Sequence, residues 1–254
     1  MTGLDTENTT CTLPRSALSA GQRQEMFDLL TRHFEGPTSA QFDRDLDEKD
    51  RVILLYRGSR LVGFSTLLAY ESLFENRSLT VIYSGDTIVA PEAWRSTQLA
   101  RAWIACVRQL RDTHPQRTCY WLLLTSGFRT YRFLPVFWRE FHPRFDARTP
   151  DANKRLLVHL ARGRFGDQYR QEHGIVRFAR PQRLCKDLGA VAAGRLADPH
   201  VAFFLSANPG HGNGDELVCV TELSDHNLTA AGRRMAFQPS QFRPPRMSSP
   251  VVPR

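Results

Sequence analysis

Between residues 19 and 34, apolar side chains return at three- and four-residue steps (Met26, Leu29, Leu30, Phe34), the period of an amphipathic helix, and Gly36-Pro37 closes it. Residues 39–48 predict a second, short and acidic helix lying at the surface. The period then changes. Residues 51–56 and 61–70 are apolar runs joined by the polar Arg57-Gly58-Ser59-Arg60, which predicts an antiparallel hairpin, and residues 78–89 form a third strand. A Pro-containing loop leads to a helix over residues 94–111, with Leu99, Trp103, Val107 and Leu110 on one face. Residues 120–124 are wholly apolar, as in a buried central strand. The aromatic-rich residues 128–141, which include Pro135, read as helical. Residues 150–169 hold a helix that begins at Asp151, runs through Leu156, Leu157 and Leu160, ends near Gly163 and Gly166, and carries enough arginine to stay at the surface. Two strands, 201–205 and 216–223, are predicted as a late hairpin around the Gly- and Pro-rich residues 206–215.

This order predicts an α/β protein with a mixed, mostly antiparallel central sheet flanked by helices. Residues 1–15, rich in Thr and Asn, and 237–254, rich in Pro, Ser and Arg, have the composition of disordered ends. The division expected is a core over 16–145 and a C-terminal helix and hairpin over 146–236 that completes or extends it.

The formal charge of +8 comes almost wholly from arginine, since Lys49, Lys154 and Lys186 are the only lysines. Guanidinium forks suit phosphate and carboxylate groups, so coenzyme A, an acidic carrier protein and nucleic acid all qualify as partners, beside the plainer reading of solvated charge. Aromatic and arginine residues mix over 128–144, but no RNA-binding signature accompanies them, and nucleic acid is not the expected partner. The cysteines Cys11, Cys106, Cys119, Cys185 and Cys219 lack the spacing of a zinc site and read as reduced thiols. His211, Asp215, Glu216 and His226 do not place two ligands on one face, so no metal is expected. The start of the chain has no basic, apolar leader, and no apolar run is long enough to span a bilayer; the expectation is a cytoplasmic protein.

Two features over residues 80–111 carry chemistry. Strand alternation puts Ser84 and Asp86 on one face with Ile82 and Ile88, and a carboxylate there needs a partner or a wet cleft. Downstream, Arg95-Ser96-Thr97-Gln98-Leu99-Ala100 enters a helix, where unpaired backbone N–H groups and the helix dipole attract phosphate. Ser96 and Thr97 would add hydroxyl donors and Arg95 a charge; ordinary helix capping by Ser96 or Thr97 is the alternative.

This order of elements and this loop resemble the GCN5-related N-acetyltransferase (GNAT) superfamily over residues 20–140. The family's loop pattern is Arg or Gln, two residues, Gly, one residue, then Gly or Ala. Arg95 and Ala100 fit it, and Gln98 replaces the first glycine. Ile88-Val89-Ala90-Pro91-Glu92 looks like the family's lead-in, with one extra residue before Arg95. The resemblance implies a GNAT-like acyltransferase fold with a C-terminal extension. It implies an N-acyltransferase that moves an acyl group from a phosphopantetheine thioester, acyl-CoA or acyl carrier protein, to an amine acceptor by direct attack, with no permanently bound cofactor. The donor would lie against Ile88 and Val89 and at Arg95, Ser96, Thr97, Gln98, Leu99 and Ala100, between parted strands. Asp86 would be the general base, with a structural aspartate as the alternative. Tyr131 would protonate the leaving thiolate, a role open also to Ser126 or Thr130. Gln98 limits the approach of a pyrophosphate to the backbone, so the competing expectation is a non-catalytic GNAT-like binding or regulatory protein.

Overall fold

The computed structural model describes residues 8–185, 188, 191 and 193–237, so the C-terminal tail from 238 onward, expected to be disordered, lies outside the described residues. Helix α1 (Ala20–His33) opens on a reciprocal cap: Gln22 N–H donates to the Ser19 hydroxyl, and Ser19 N–H donates to the Gln22 side chain. Met26, Leu29 and Leu30 are buried, as the helical period requires. Helix α2 (Ser39–Asp47) is not simply surface-lying, because it buries Phe42 and Leu46 and holds Asp43 and Asp45 half-buried.

An eight-stranded sheet with the order β1-β3-β4-β5-β6-β10-β8-β7 forms the body of the protein. Strands β3 (Arg51–Arg57), β4 (Arg60–Phe74) and β5 (Arg77–Val89) follow each other antiparallel. The β4–β5 turn falls at Glu75-Asn76, both at positive φ (47° and 61°), the geometry whose twist matches a two-residue hairpin. Helix α3 (Gln98–Asp112) then crosses over, so that β6 (Thr118–Thr125) joins β5 in parallel. The mixed, mostly antiparallel sheet flanked by helices is the fold class that the sequence predicts.

Four expectations are corrected. Residues 8–14, taken as part of a disordered end, form strand β1 (Asn8–Pro14), which pairs with β3 along its length. Its threonines are β-branched and suit a pleated edge despite their polarity. Residues 201–205 are not a strand: they lie in helix α7 (Pro199–Ala207), started by Asp198, whose side chain accepts from His200 N–H, and by Pro199 in the first turn. Strand β10 (Glu216–Glu222) therefore has no hairpin partner there; it pairs antiparallel with β6 and with the two-residue β8 (Ile175–Val176), which pairs with β7 (Tyr169–Arg170). The aromatic segment is broken into α4 (Phe128–Tyr131) and α5 (Phe133–Phe137), after which Trp138 bridges to Leu228. Finally, α3 begins at Gln98 rather than 94, after a turn of 3-10 helix at Pro91–Ala93.

Two cores fill the space around the sheet. The larger gathers α1, α2, α3 and the tryptophans Trp103, Trp121 and Trp138, whose rings lie 4.2 to 5.8 Å apart. The smaller packs Leu156, Leu157 and Leu160 of α6 (Asp151–Phe165) on Val81, Leu122 and Val218, so this helix is amphipathic with only its arginine-rich side at the surface. Helix α8 (Ala230–Phe237) is the last described element, and β2 (Phe34–Glu35) pairs with β9 (Arg183–Leu184) beside the main sheet. Burial pushes the thiols of Cys106 and Cys119 up to about 11 and about 12, which makes them packing groups and not nucleophiles.

Candidate functional site

The site is built where two strands separate. Parallel pairing of β5 with β6 runs from Leu79↔Thr118 to Ser84↔Leu123 and stops, although β5 continues to Val89 and β6 to Thr125. The cause is a bulge. Pairing of β5 with β4 shifts from Leu67↔Ser84 to Ser65↔Thr87, so Thr66 alone faces both Gly85 and Asp86. An extra residue bends a strand and reverses its alternation. Ser84 consequently points to α3, where its hydroxyl accepts from Trp103 Nε1 (3.2 Å) and Trp121 Nε1 (2.9 Å). Asp86 lines a cavity beside Tyr83 and Arg164 instead. The shared face predicted for Ser84 and Asp86 is thus corrected by the bulge.

On one side of the gap lies a cavity of about 470 Å³, whose walls include Ile88, Val89, Ser96, Leu99 and Ala100. Ala90 N–H donates to Val62 C=O (2.7 Å). By the alternation of an antiparallel ladder, the N–H groups of Thr87 and Val89 therefore face away from β4 and into the gap. The Val89 carbonyl accepts from the Trp94 indole at 2.8 Å. Arg129, Arg132 and Arg195 give this cavity a cationic wall. The Arg129 guanidinium lies 4.1 Å from the centre of the Trp94 ring and donates to Leu188 C=O (2.6 Å); burial, and then Arg195, lower its pKa. Of the loop residues predicted to hold phosphate, Ser96, Leu99 and Ala100 reach the cavity. Arg95 is exposed, and Arg95, Thr97 and Gln98 lie outside its lining. The Ser96 hydroxyl accepts from Gln98 N–H at 3.3 Å, so part of the capping alternative holds.

On the other side, a cavity of about 530 Å³ contains Asp86, Glu216, Lys49 and the aromatic rings of Tyr83, Phe165 and Phe178. Burial raises the pKa of Asp86, partly offset by Lys49. Burial and then the charge of Asp86 push Glu216 up to about 8. Lys49 is only 6% exposed, and burial lowers its pKa against the opposing pull of Asp86. The two cavities share Phe34, Thr87, Ser126 and Thr130, so they meet at the mouth of the strand gap.

Tyr131 is not at this junction. Its ring is fully buried among Phe141, Phe203 and Phe204, and its hydroxyl donates to Pro143 C=O at 3.0 Å. Tyr131 therefore lines neither cavity, whereas Ser126 and Thr130, the other hydroxyls considered for the acid role, line both. Lys49, Glu216 and the arginines 129, 132 and 195 have no sequence signal that ties them to the 80–111 segment; only topology brings them there. Among the described residues, no group of three or more His, Cys, Asp or Glu side chains is arranged to hold a metal ion, and no helix is long and apolar enough to cross a membrane.

No family model matches the chain, and no curated protein matches it in sequence. Among solved structures it is similar to a probable N-acyltransferase from Enterococcus faecalis (TM-score 0.42, 13% identity, 85% of this chain), of whose length it spans 66%. It is also similar to an acetyltransferase from Trypanosoma brucei (TM-score 0.38, 17% identity, 57% of this chain and 100% of that one). A third is glucosamine-6-phosphate N-acetyltransferase from Arabidopsis thaliana (TM-score 0.34, 13% identity, 46% of this chain and 81% of that one).

Proposed function

We propose that this protein is a cytoplasmic N-acyltransferase that moves an acyl group from a phosphopantetheine thioester, on coenzyme A or a carrier protein, to an amine. One observation supports this above all: two cavities of unlike chemistry, one cationic and one carrying carboxylates, meet where β5 and β6 part. The pantetheine arm enters the gap and accepts from the Thr87 and Val89 N–H groups, and its phosphates lie toward Arg129, Arg132 and Arg195. The amine arrives from the other side. Asp86 and Glu216 take its proton, the amine nitrogen attacks the thioester carbon, and the C–S bond breaks as the tetrahedral centre collapses. Ser126 or Thr130 donates a hydrogen bond to the departing thiolate, which becomes a free thiol by taking up one proton from solvent, while the carboxylate that accepted the amine's proton returns one to solvent.

Release of free thiol from acetyl-CoA and longer acyl-CoAs in the presence of an amine panel, with calorimetry of donor binding, tests this. Absence of binding to any acyl-CoA or acylated carrier protein overturns it and favours the non-catalytic reading, which draws its support from Gln98 at the family's glycine position. Gln98→Gly is expected to leave acyl-CoA binding nearly unchanged, because Gln98 lies outside the lining of the cavity proposed for the donor; tighter binding would return the pyrophosphate to the loop at residues 95–100.

A further inference from the structure

We propose that the acceptor is a small zwitterion, an amine that also carries a carboxylate close to its nitrogen, as a free amino acid with an apolar side chain does. This inference rests on the acyl-transfer reading above and names the substrate class of its acceptor cavity.

Lys49 carries the case. It follows α2 and reaches over the bulge, where the absence of a side chain at Gly85 makes room: a Cβ there would sit 2.7 Å from Lys49 Cε and 3.4 Å from Nζ. The residue is only 6% exposed, yet among the described residues its ammonium has neither a hydrogen-bond acceptor nor a carboxylate within ion-pair distance. Its neighbours are the Tyr83 ring, 5.3 Å from Nζ, and the charges of Asp86, Arg164, Glu48 and Asp45 acting through space. The ammonium is not sealed off by protein atoms and so faces the cavity, where a ligand carboxylate supplies the direct partner it lacks.

The other cations of the cavity do not substitute for it. Arg164 is paired with Glu48. Arg44 and Arg180 line the cavity but are exposed, at its mouth.

The same cavity holds Asp86 and Glu216, which suit an ammonium. A simple amine would satisfy these carboxylates and meet repulsion from Lys49. A simple carboxylate would satisfy Lys49 and be repelled by Asp86. A zwitterion answers both poles and adds no net charge to the cavity. Tyr83, Phe165 and Phe178 supply an apolar wall, and the volume of about 530 Å³ leaves room for a large side chain.

The test compares phenylalanine, phenylalanine methyl ester and phenethylamine, and the corresponding leucine series, as acceptors from acetyl-CoA, with calorimetry of each amine on the full chain without donor. The amino acids are expected to exceed the ester and the plain amine by about a hundredfold in kcat/KM, the upper end of what leaving one polar group unsatisfied costs. Lys49→Met is expected to erase most of that preference and Lys49→Arg to retain part of it. Transfer to phenethylamine as fast as to phenylalanine overturns the zwitterion site and leaves acyl transfer standing. Lys49-dependent binding of the amino acid without any thiol release supports the zwitterion site and counts against acyl transfer. Neither binding nor transfer overturns both.

Discussion

The indole N–H of Trp121 on β6 donates to the Ser84 hydroxyl on β5 at 2.9 Å, at the rung beyond which the two strands part. Trp103 of α3 donates to the same oxygen at 3.2 Å, so one hydroxyl fastens a helix and a strand to β5 at the apex of the gap. Ser84→Ala strands both buried donors and is expected to cost about 2–3 kcal/mol. Chemical denaturation measures it; a loss below about 0.5 kcal/mol, the scale of a surface change, means the indoles find other partners.

Gly85 is the second tight point. A methyl group there would meet Lys49 Cε at 2.7 Å and Thr66 Oγ1 at 2.9 Å. Gly85→Ala is expected to destabilise the fold by about 1–3 kcal/mol, as overpacking does, and to raise the KM for the acceptor more than that for the donor. Equal effects on both would show that the lysine does not serve the acceptor side.

Glu216 makes stability depend on pH. Its folded value of about 8 stands above the ordinary 4.5, so between these values the folded chain holds a proton that the unfolded chain releases. The contribution is fully present below about pH 4.5 and is lost as pH rises through about 8. Glu216→Gln is therefore expected to flatten the decline of Tm across this window and to melt above the wild type at its alkaline end. Parallel Tm curves would place Glu216 in a wetter site.

The rate should move the opposite way. If Glu216 takes the amine's proton, kcat/KM rises as pH approaches about 8, and this limb disappears in Glu216→Gln. Asp86→Asn should lower kcat with little change in donor affinity; an unchanged rate would assign Asp86 a structural role.

Donor binding offers a direct contrast between two arginines. Arg129 lines the cavity proposed for the donor, whereas Arg95 is exposed and outside its lining. Arg129→Ala is expected to weaken acyl-CoA binding about tenfold or more, the scale of one charge-assisted hydrogen bond, and Arg95→Ala to leave it nearly unchanged. Calorimetry giving the reverse order would return the phosphates to the loop at residues 95–100.

The legible parts of this fold were those with a regular period or a cap. Met26, Leu29 and Leu30 announce α1, and the turn at residues 57–60 announces the first hairpin. Residues 201–205 are too short an apolar run for period to separate strand from helix; the Asp198-Pro199 start signal was the deciding mark. The bulge at Gly85 breaks the alternation on which the placement of Asp86 rested, and a glycine was its sole trace in the sequence. Lys49 and Glu216, far apart in the chain, meet in the cavity because β10 returns beside β6 and α2 ends near the bulge. Local pattern carries no information of that kind.

Strand β1 gives the protein a vulnerability at its outer margin. It covers β3, in which Val52, Ile53, Leu54 and Leu55 are all buried. Trimming residues 8–14 as if they were a dispensable tail would uncover a row of unpaired backbone groups on a strand of four consecutive apolar residues, a ready template for a second molecule. A nick near Pro14 is therefore expected to announce itself first as self-association and turbidity, before any change at the β5–β6 gap in the middle of the sheet.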